Sequence, residues 1–388
     1  MYLNKDEEEI LHGEYGETRQ KMMEVLVALG RVFGADKLIP IVSAQVSGAS
    51  YKTIGEWGLQ WLEGLNAKVV APTMLNPIGM PRNHWDELGI TKKFAERQIA
   101  IIEVYRRLGV KIECTCTPYY SHIVRYGDHI AWAESSAVVY ANSVIGARTN
   151  REGGPSALAA GIIGKTPNYG FHLINNRRPH LVIEFDGKKE LIQQPEFFGA
   201  LGYIAGKLIG NTIPIFLGIK PKRDQLKALG AAMAATGAIS LFHIKNITPE
   251  AQIFKFDTTG LEQITIESKD ITALFKEIEV DAVAIGCPHC SGDELKEIAL
   301  LIAGKKVKKP LFIFSSHYVL TSNQKVVEQI QNSGAKVISD TCMVVSPFMD
   351  QFKSIMVDSG KAMAYVPNMC GAVTRIGTLE ECIKVATT

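Results

Sequence analysis

A chain of 388 residues, 46% of them apolar, has material for a large core and for more than one lobe. Its 42 Lys and Arg nearly balance its 40 Asp and Glu, so a formal net charge of +2 gives no strong field for nucleic acid or an anionic membrane. The acidic opening MYLNKDEEEILHGEYG lacks the basic and apolar regions of a signal peptide, and no uncharged apolar run is long enough to span a bilayer; a soluble, cytoplasmic protein is expected.

Residues 37–46, rich in Ile and Val, predict a strand ending in Ser47-Gly48-Ala49-Ser50, and an amphipathic helix follows through Leu65. Residues 67–71 predict a short strand ending at Pro72-Thr73-Met74-Leu75-Asn76-Pro77. Residues 91–108 have helical periodicity and stop at Gly109; residues 110–113 then predict a strand running into Cys114-Thr115-Cys116. Such βα units build parallel sheets. Residues 146–170 are glycine-rich and less regular, and Arg148, Thr149, Asn150, Arg151 and Glu152-Gly153-Gly154-Pro155 suit either a loop near a ligand or an ordinary surface loop. The pattern weakens around 240–275, where a boundary is expected between regions 1–260 and 261–388. Beyond it, strands over 281–286, 310–314, 335–339 and 362–366 alternate with helices over 293–302 and 322–331. The fold class expected is α/β with mostly parallel sheets.

Seven cysteines, an odd number, argue against a disulfide framework, and each could be a small buried hydrophobe. Three of them sit at telling places. Cys116, Cys287 and Cys342 each lie just past the C-terminal end of a predicted strand, where the loops of open α/β sheets line a ligand crevice. Three converging thiolates can hold a [4Fe–4S] cluster with one iron left open as a Lewis acid, or a zinc ion. Cys287-Pro288-His289-Cys290 also reads as a redox Cys-x-x-Cys, and as half a zinc knuckle it lacks a second pair. Cys114 and Cys116 point to opposite sides of an extended segment. Cys114 and Cys370 stay open as alternative ligands, and Cys382 is expected in the core of a C-terminal helix.

Several motifs together resemble the aconitase X family over nearly the whole chain. They are Gln45-Val46-Ser47-Gly48-Ala49-Ser50, Thr73-Met74-Leu75-Asn76-Pro77, Cys114-Thr115-Cys116-Thr117-Pro118-Tyr119, Ala131-Trp132-Ala133-Glu134-Ser135-Ser136-Ala137, the segment from Asn142 to Gly153, Gly286-Cys287-Pro288-His289 and Asp340-Thr341-Cys342. The resemblance implies an aconitase-like, multi-lobed α/β/α architecture around a central cleft. It also implies dehydration of a hydroxylated substrate at an iron–sulfur cluster held by Cys116, Cys287 and Cys342. It places Gly48, Ala49, Ser50, Asn76, Pro77, Glu134, Ser135 and Lys361 around the substrate. Lys361 and Arg148 have the charge to pair with a phosphate or carboxylate. Backbone N–H groups of Gly48-Ala49-Ser50, at the start of a helix, suit an anionic oxygen.

The chain ends at Thr388, soon after the Cys370 segment, and so resembles the family's two-subunit form. That form implies a separate small subunit carrying a swivelling domain and the base that removes the carbon-bound proton. It implies a small phosphorylated hydroxy acid as substrate; fused members of the family imply hydroxyprolines instead. Two competing classes are a redox or zinc protein built on Cys287 and Cys290, and a non-catalytic iron–sulfur scaffold or sensor. His122, His289 and His317 are candidates to protonate the leaving hydroxide, because they lie near predicted strand ends; each is also readable as a structural histidine.

Overall fold

The computed structural model describes residues 1–187, 191 and 195–388. In the last third, the runs Ala282–Cys290, Leu311–Ser315, Lys336–Ser339, Ser354–Val357 and Val373–Ile376 form one parallel sheet. Ala282–Cys290 is buried along its whole length, as a strand covered on both faces should be. Counted along this lobe, the spatial order is third, second, first, fourth, fifth. The switch point therefore falls between Ala282–Cys290 and Ser354–Val357, and a crevice opens beyond their C-terminal ends. The sheet has a core on each face. Cys290 packs with Ile285, Leu295 and Ile313 in one, and Cys287 with Ala284, Phe314 and Val357 in the other.

The strand expected at 362–366 is instead part of the helix Gly360–Cys370. Ser359 caps it, its hydroxyl accepting the Ala362 N–H at 3.1 Å. Ala362 and Val366 are buried four residues apart, so the apolar spacing belongs to one helix face.

In the first third, Ala44–Val46 lies between Thr73–Leu75 and Ala131–Trp132 in a three-stranded parallel sheet. The strand expected over 37–46 divides, because Leu38–Pro40 pairs antiparallel with Lys165–Pro167 instead. The strands expected at 67–71 and 110–113 are not regular strands. The Val70 and Ala71 N–H groups go to the Gly161 carbonyl, and Lys111 makes a single bridge to Met74. Within 146–170, expected to be irregular, lies the helix Gly154–Ile163. Its glycines serve packing: a Cβ on Gly161 would stand 2.5 Å from the Thr73 hydroxyl.

The middle sheet holds Leu181–Asp186, Pro214–Leu217, His243–Ile244 and Glu262–Glu267, all parallel. Its last two strands occupy the stretch where the sequence pattern weakens. The middle lobe meets the last one where Gly360 abuts Gly199; a Cβ on Gly360 would lie 2.3 Å from the Gly199 carbonyl oxygen. That close approach seats the helix carrying Lys361. Among the described residues, no helix is long and apolar enough to cross a membrane.

Between the first and middle lobes lies a buried polar joint. Arg177, 1% exposed, donates to Glu250 at 2.7 Å and to Asn142 at 3.1 Å. Nε2 of His243 donates to the Arg177 carbonyl at 2.7 Å, and His172 packs against His129. Burial lowers His172 from 6.5 to about 3 and His243 to about 4. The unfolded chain therefore takes up protons below pH 6.5 that the folded chain refuses until near pH 3–4. Stability through these groups is intact above pH 6.5 and falls as pH drops below it. Denaturant titrations from pH 7 to 4.5 should show this fall, and a His172→Gln variant should show a shallower one.

Candidate active site

Three cysteines approach one another from two lobes. Cys287 lies in the first strand of the last lobe, where the pairing becomes irregular between Ile285 and Cys290. Gly286 before it has φ +104°, and a Cβ there would stand 2.2 Å from the Phe314 carbonyl oxygen, so only glycine lets the chain pass so close. The Ser359 hydroxyl donates to the Cys287 carbonyl across the switch point. Cys342 follows Lys336–Ser339 and is tied to the first lobe. Its N–H donates to the Ile78 carbonyl at 3.0 Å, and Ile78 N–H donates to the Asp340 carbonyl at 2.9 Å. Arg82 pairs with the buried Asp340 at 2.8 Å. Cys116 comes from the first lobe, and its Sγ accepts the backbone N–H of His289 at 3.2 Å.

Burial raises all three thiols, Cys116 to about 12, while the Lys361 ammonium acts on each in the opposite sense. Cys116 and Cys342 lie within electrostatic reach of each other and of Cys287. The remaining cysteines face elsewhere. Cys114 packs in the first-lobe core, Cys290 and Cys382 in a core of the last lobe, and Cys370 points its thiol at the Met343 and Val344 carbonyls at 3.8 and 3.9 Å.

Beside Cys342 is a cavity of about 320 Å³ whose wall includes Gly48, Ala49, Ser50, Asn76, Pro77, Glu134, Ser135 and Lys361. Its centre is a buried ion pair: Lys361 Nζ lies 2.5 Å from Glu134 Oε1 and donates to Ser136 Oγ at 3.1 Å. Asn76 donates to the other carboxylate oxygen at 2.8 Å. Burial alone would raise Glu134, but the Lys361 charge and these hydrogen bonds overcome it and hold the carboxyl at about 2. Asn76 Oδ1 is buried with no hydrogen-bond partner among the described residues, an acceptor left for a ligand. The Ser50 hydroxyl is committed. It caps the helix Tyr51–Glu63 through the Lys52 N–H and donates to the Val345 carbonyl at 2.8 Å.

Arg148, named from the sequence as an anion partner, is not on this wall. Its N–H and carbonyl are bound to Asp128 and Ile130, and its charge acts on His129, Arg177 and Glu250. The wall arginine is Arg151, three residues on, with a bond to the Ala234 carbonyl at 3.3 Å. No local sequence signal separates the two arginines. His122 is half-buried and His317 exposed, and neither lines the cavity. A larger cavity of about 570 Å³ is lined by Gly286, Cys287, Pro288, Cys290, Lys227, Glu294 and Asp358, and by none of the residues named from the sequence as substrate contacts.

Residues 1–175, 179–276 and 280–388 match the first, second and third domains of aconitase X. The chain belongs to the aconitase X family. It is 52% identical over 392 residues to the phosphomevalonate dehydratase large subunit of Methanosarcina mazei, spanning 100% of this chain and 97% of that one. The corresponding large subunit of Thermococcus kodakarensis is 45% identical, with 100% of both chains covered. A cis-3-hydroxy-L-proline dehydratase of Pseudomonas aeruginosa is 30% identical, over 99% of this chain but 70% of the relative. The crystal structure of Thermococcus kodakaraensis aconitase X in its holo-form matches at a TM-score of 0.92 and 46% identity over 100% of both chains. The aconitase-like α/β fold expected from the motifs is thus the fold observed.

An aconitase-like family carries an expectation of an iron–sulfur group, and the donor set fits one. Three thiols, Cys116 and Cys287 buried and Cys342 half-buried, lie within reach of one ammonium, and Cys116 already accepts an N–H bond. Among the described residues, no three His, Cys, Asp or Glu are gathered tightly enough to ligate a single metal ion. A cluster spreads its ligands over several irons and asks for a wider arrangement.

The aconitase X ion pair can be tested by charge removal. Lys361→Met leaves a buried carboxylate uncompensated and should cost about 3–5 kcal/mol in urea denaturation. Glu134→Gln combined with Lys361→Met should recover most of that loss. Equal destabilisation in the single and double variants would contradict the pairing.

Proposed function

We propose that this chain is the large subunit of a phosphomevalonate dehydratase, a hydro-lyase that converts (R)-5-phosphomevalonate to trans-anhydromevalonate 5-phosphate. The observation that carries the reading is the cavity beside Cys342 that gathers Gly48, Ala49, Ser50, Asn76, Pro77, Glu134, Ser135 and Lys361. Full-length identity to relatives of that name supports it, and the hydroxyproline dehydratases stand further off. In this reading, residues 1–260 supply Cys116 and most of the substrate wall, and residues 261–388 supply Cys287, Cys342 and Lys361.

Cys116, Cys287 and Cys342 would hold the cluster. When bound, a cluster with three protein ligands supplies a Lewis acid for the departing hydroxyl. The chain's own groups bind and orient. Asn76 presents Oδ1 to a substrate O–H, and its amide is fixed by Glu134. Lys361 gives two N–H donors to Glu134 and Ser136 and keeps a third for substrate. Arg151 has no ion-pair partner among the described residues and is free to meet the phosphate. Glu134, held at about 2, stays ionised and donates no proton at neutral pH. Dehydration also needs a base for the proton beside the carboxylate, and we assign it to a small subunit carrying the swivelling domain. The "large subunit" in the relatives' names supports such a partner.

The test is anaerobic reconstitution of the chain with iron and sulfide, addition of the small subunit, and assay of 5-phosphomevalonate beside hydroxyprolines. Turnover of 5-phosphomevalonate is expected; turnover of hydroxyproline alone would overturn the substrate assignment. In the same preparation, Cys116→Ala should lose bound iron, whereas Cys290→Ala should keep it, because Cys290 faces a separate core. Arg151→Met should raise KM for the phosphorylated substrate about 10–100-fold, the worth of one charge-assisted hydrogen bond.

A further inference from the structure

One buried side chain is bonded to every segment that carries a proposed cluster cysteine. His289, 1% exposed, belongs to the Cys287 segment. Its backbone N–H donates to Cys116 Sγ at 3.2 Å. Its Nε2 lies 2.9 Å from the carbonyl oxygen of Thr341, the residue before Cys342. Its Nδ1 lies 3.3 Å from the hydroxyl of Thr115, the residue before Cys116. A carbonyl only accepts, so Nε2 carries the proton, and a neutral ring then accepts at Nδ1 from Thr115. The carbonyl of His289 accepts from Lys227 of the middle lobe at 3.2 Å, and Lys227 is in turn paired with Glu294. Both ring nitrogens are thus spent on protein partners, so the ring is not the acid that protonates a leaving hydroxide.

We propose that His289 is a positioning residue that staples the Cys116, Cys287 and Cys342 segments into one cluster-binding cradle, with Lys227 clamping the staple from the middle lobe. This rests on the reading of those three cysteines as cluster ligands. Cys116 is far from Cys287 and Cys342 in the chain, and the joining of the three segments is not left to the bound group alone: hydrogen bonds through one residue reach the Cys116 sulfur, the Thr115 hydroxyl and the Thr341 carbonyl. Outer residues that orient ligands in this way typically alter metal retention rather than the fold.

The experiment compares wild type, His289→Ala, His289→Gln and Thr115→Val, each as the full chain reconstituted anaerobically with iron and sulfide. The readouts are iron and sulfide per chain, the visible absorption of the cluster, and its bleaching rate under an iron chelator. The thermal midpoint of each metal-free chain is measured in parallel. His289→Ala should bleach about 10–100-fold faster than wild type, a typical cost of losing an outer-shell partner. His289→Gln, which keeps a donor towards the Thr341 carbonyl, should recover part of the loss. Thr115→Val, near in shape but lacking the hydroxyl, should bleach faster than wild type and slower than His289→Ala, even if His289→Ala fails to fold. Wild-type bleaching rates in both His289→Gln and Thr115→Val would overturn the proposal. So would a His289→Ala chain that retains its cluster normally yet has lost activity. Failure of the wild type itself to take up iron and sulfide would instead remove the cluster reading beneath it.

Discussion

The buried pair between Glu134 and Lys361 is the constraint around which the site is arranged. Its partners are 227 residues apart, one at the start of a first-lobe helix and the other on the last lobe's 360–370 helix. Neither charge is tolerable alone at that depth. Docking of the two lobes is therefore coupled to formation of the cavity, since the side chains that neutralise each other also form its wall. Close backbone approach does the rest. Gly360 against Gly199 sets where the Lys361 helix begins, and Gly286 against Phe314 sets where the Cys287 segment turns out of the sheet.

Much of this was legible from periodicity. The runs before Cys287 and Cys342 carry Val and Ile at Val283, Ile285, Val337 and Ile338, and a parallel sheet puts whatever follows such runs at the crevice. The same reasoning points to Cys116, although the segment before it makes a single bridge rather than a strand. The error at 362–366 has a simple cause. An apolar spacing of four falls on one face of a strand as well as of a helix, and the Ser359 cap was the signal that separates them.

Less legible were features set by contacts between lobes. Arg148 and Arg151 are three residues apart in one segment, and nothing local says which faces the cavity. A backbone bridge to His129 turns the first towards the Arg177 joint and leaves the second beside the site. The roles of Lys227 and His289 depend equally on tertiary neighbours. A buried lysine and a buried histidine have no periodic signature, and each is explained only by the carbonyls and hydroxyls that reach it across the fold.

The distribution of charge explains why such a site divides its labour. The cavity's carboxylate is cancelled by Lys361 and held far below neutral pH, so it is a poor base. Freeing it to act as one would leave the Lys361 ammonium buried without its partner, at a cost comparable to a large part of a domain's stability. A wall that holds anionic groups as proposed is thus electrically unsuited to supplying the proton acceptor as well. A base borne on a second body avoids the conflict. In the proposed reading it would approach the substrate carbon from the exposed Thr53 and Met369 rim and withdraw for exchange. Meanwhile the buried pair and the staple keep the binding half of the site intact.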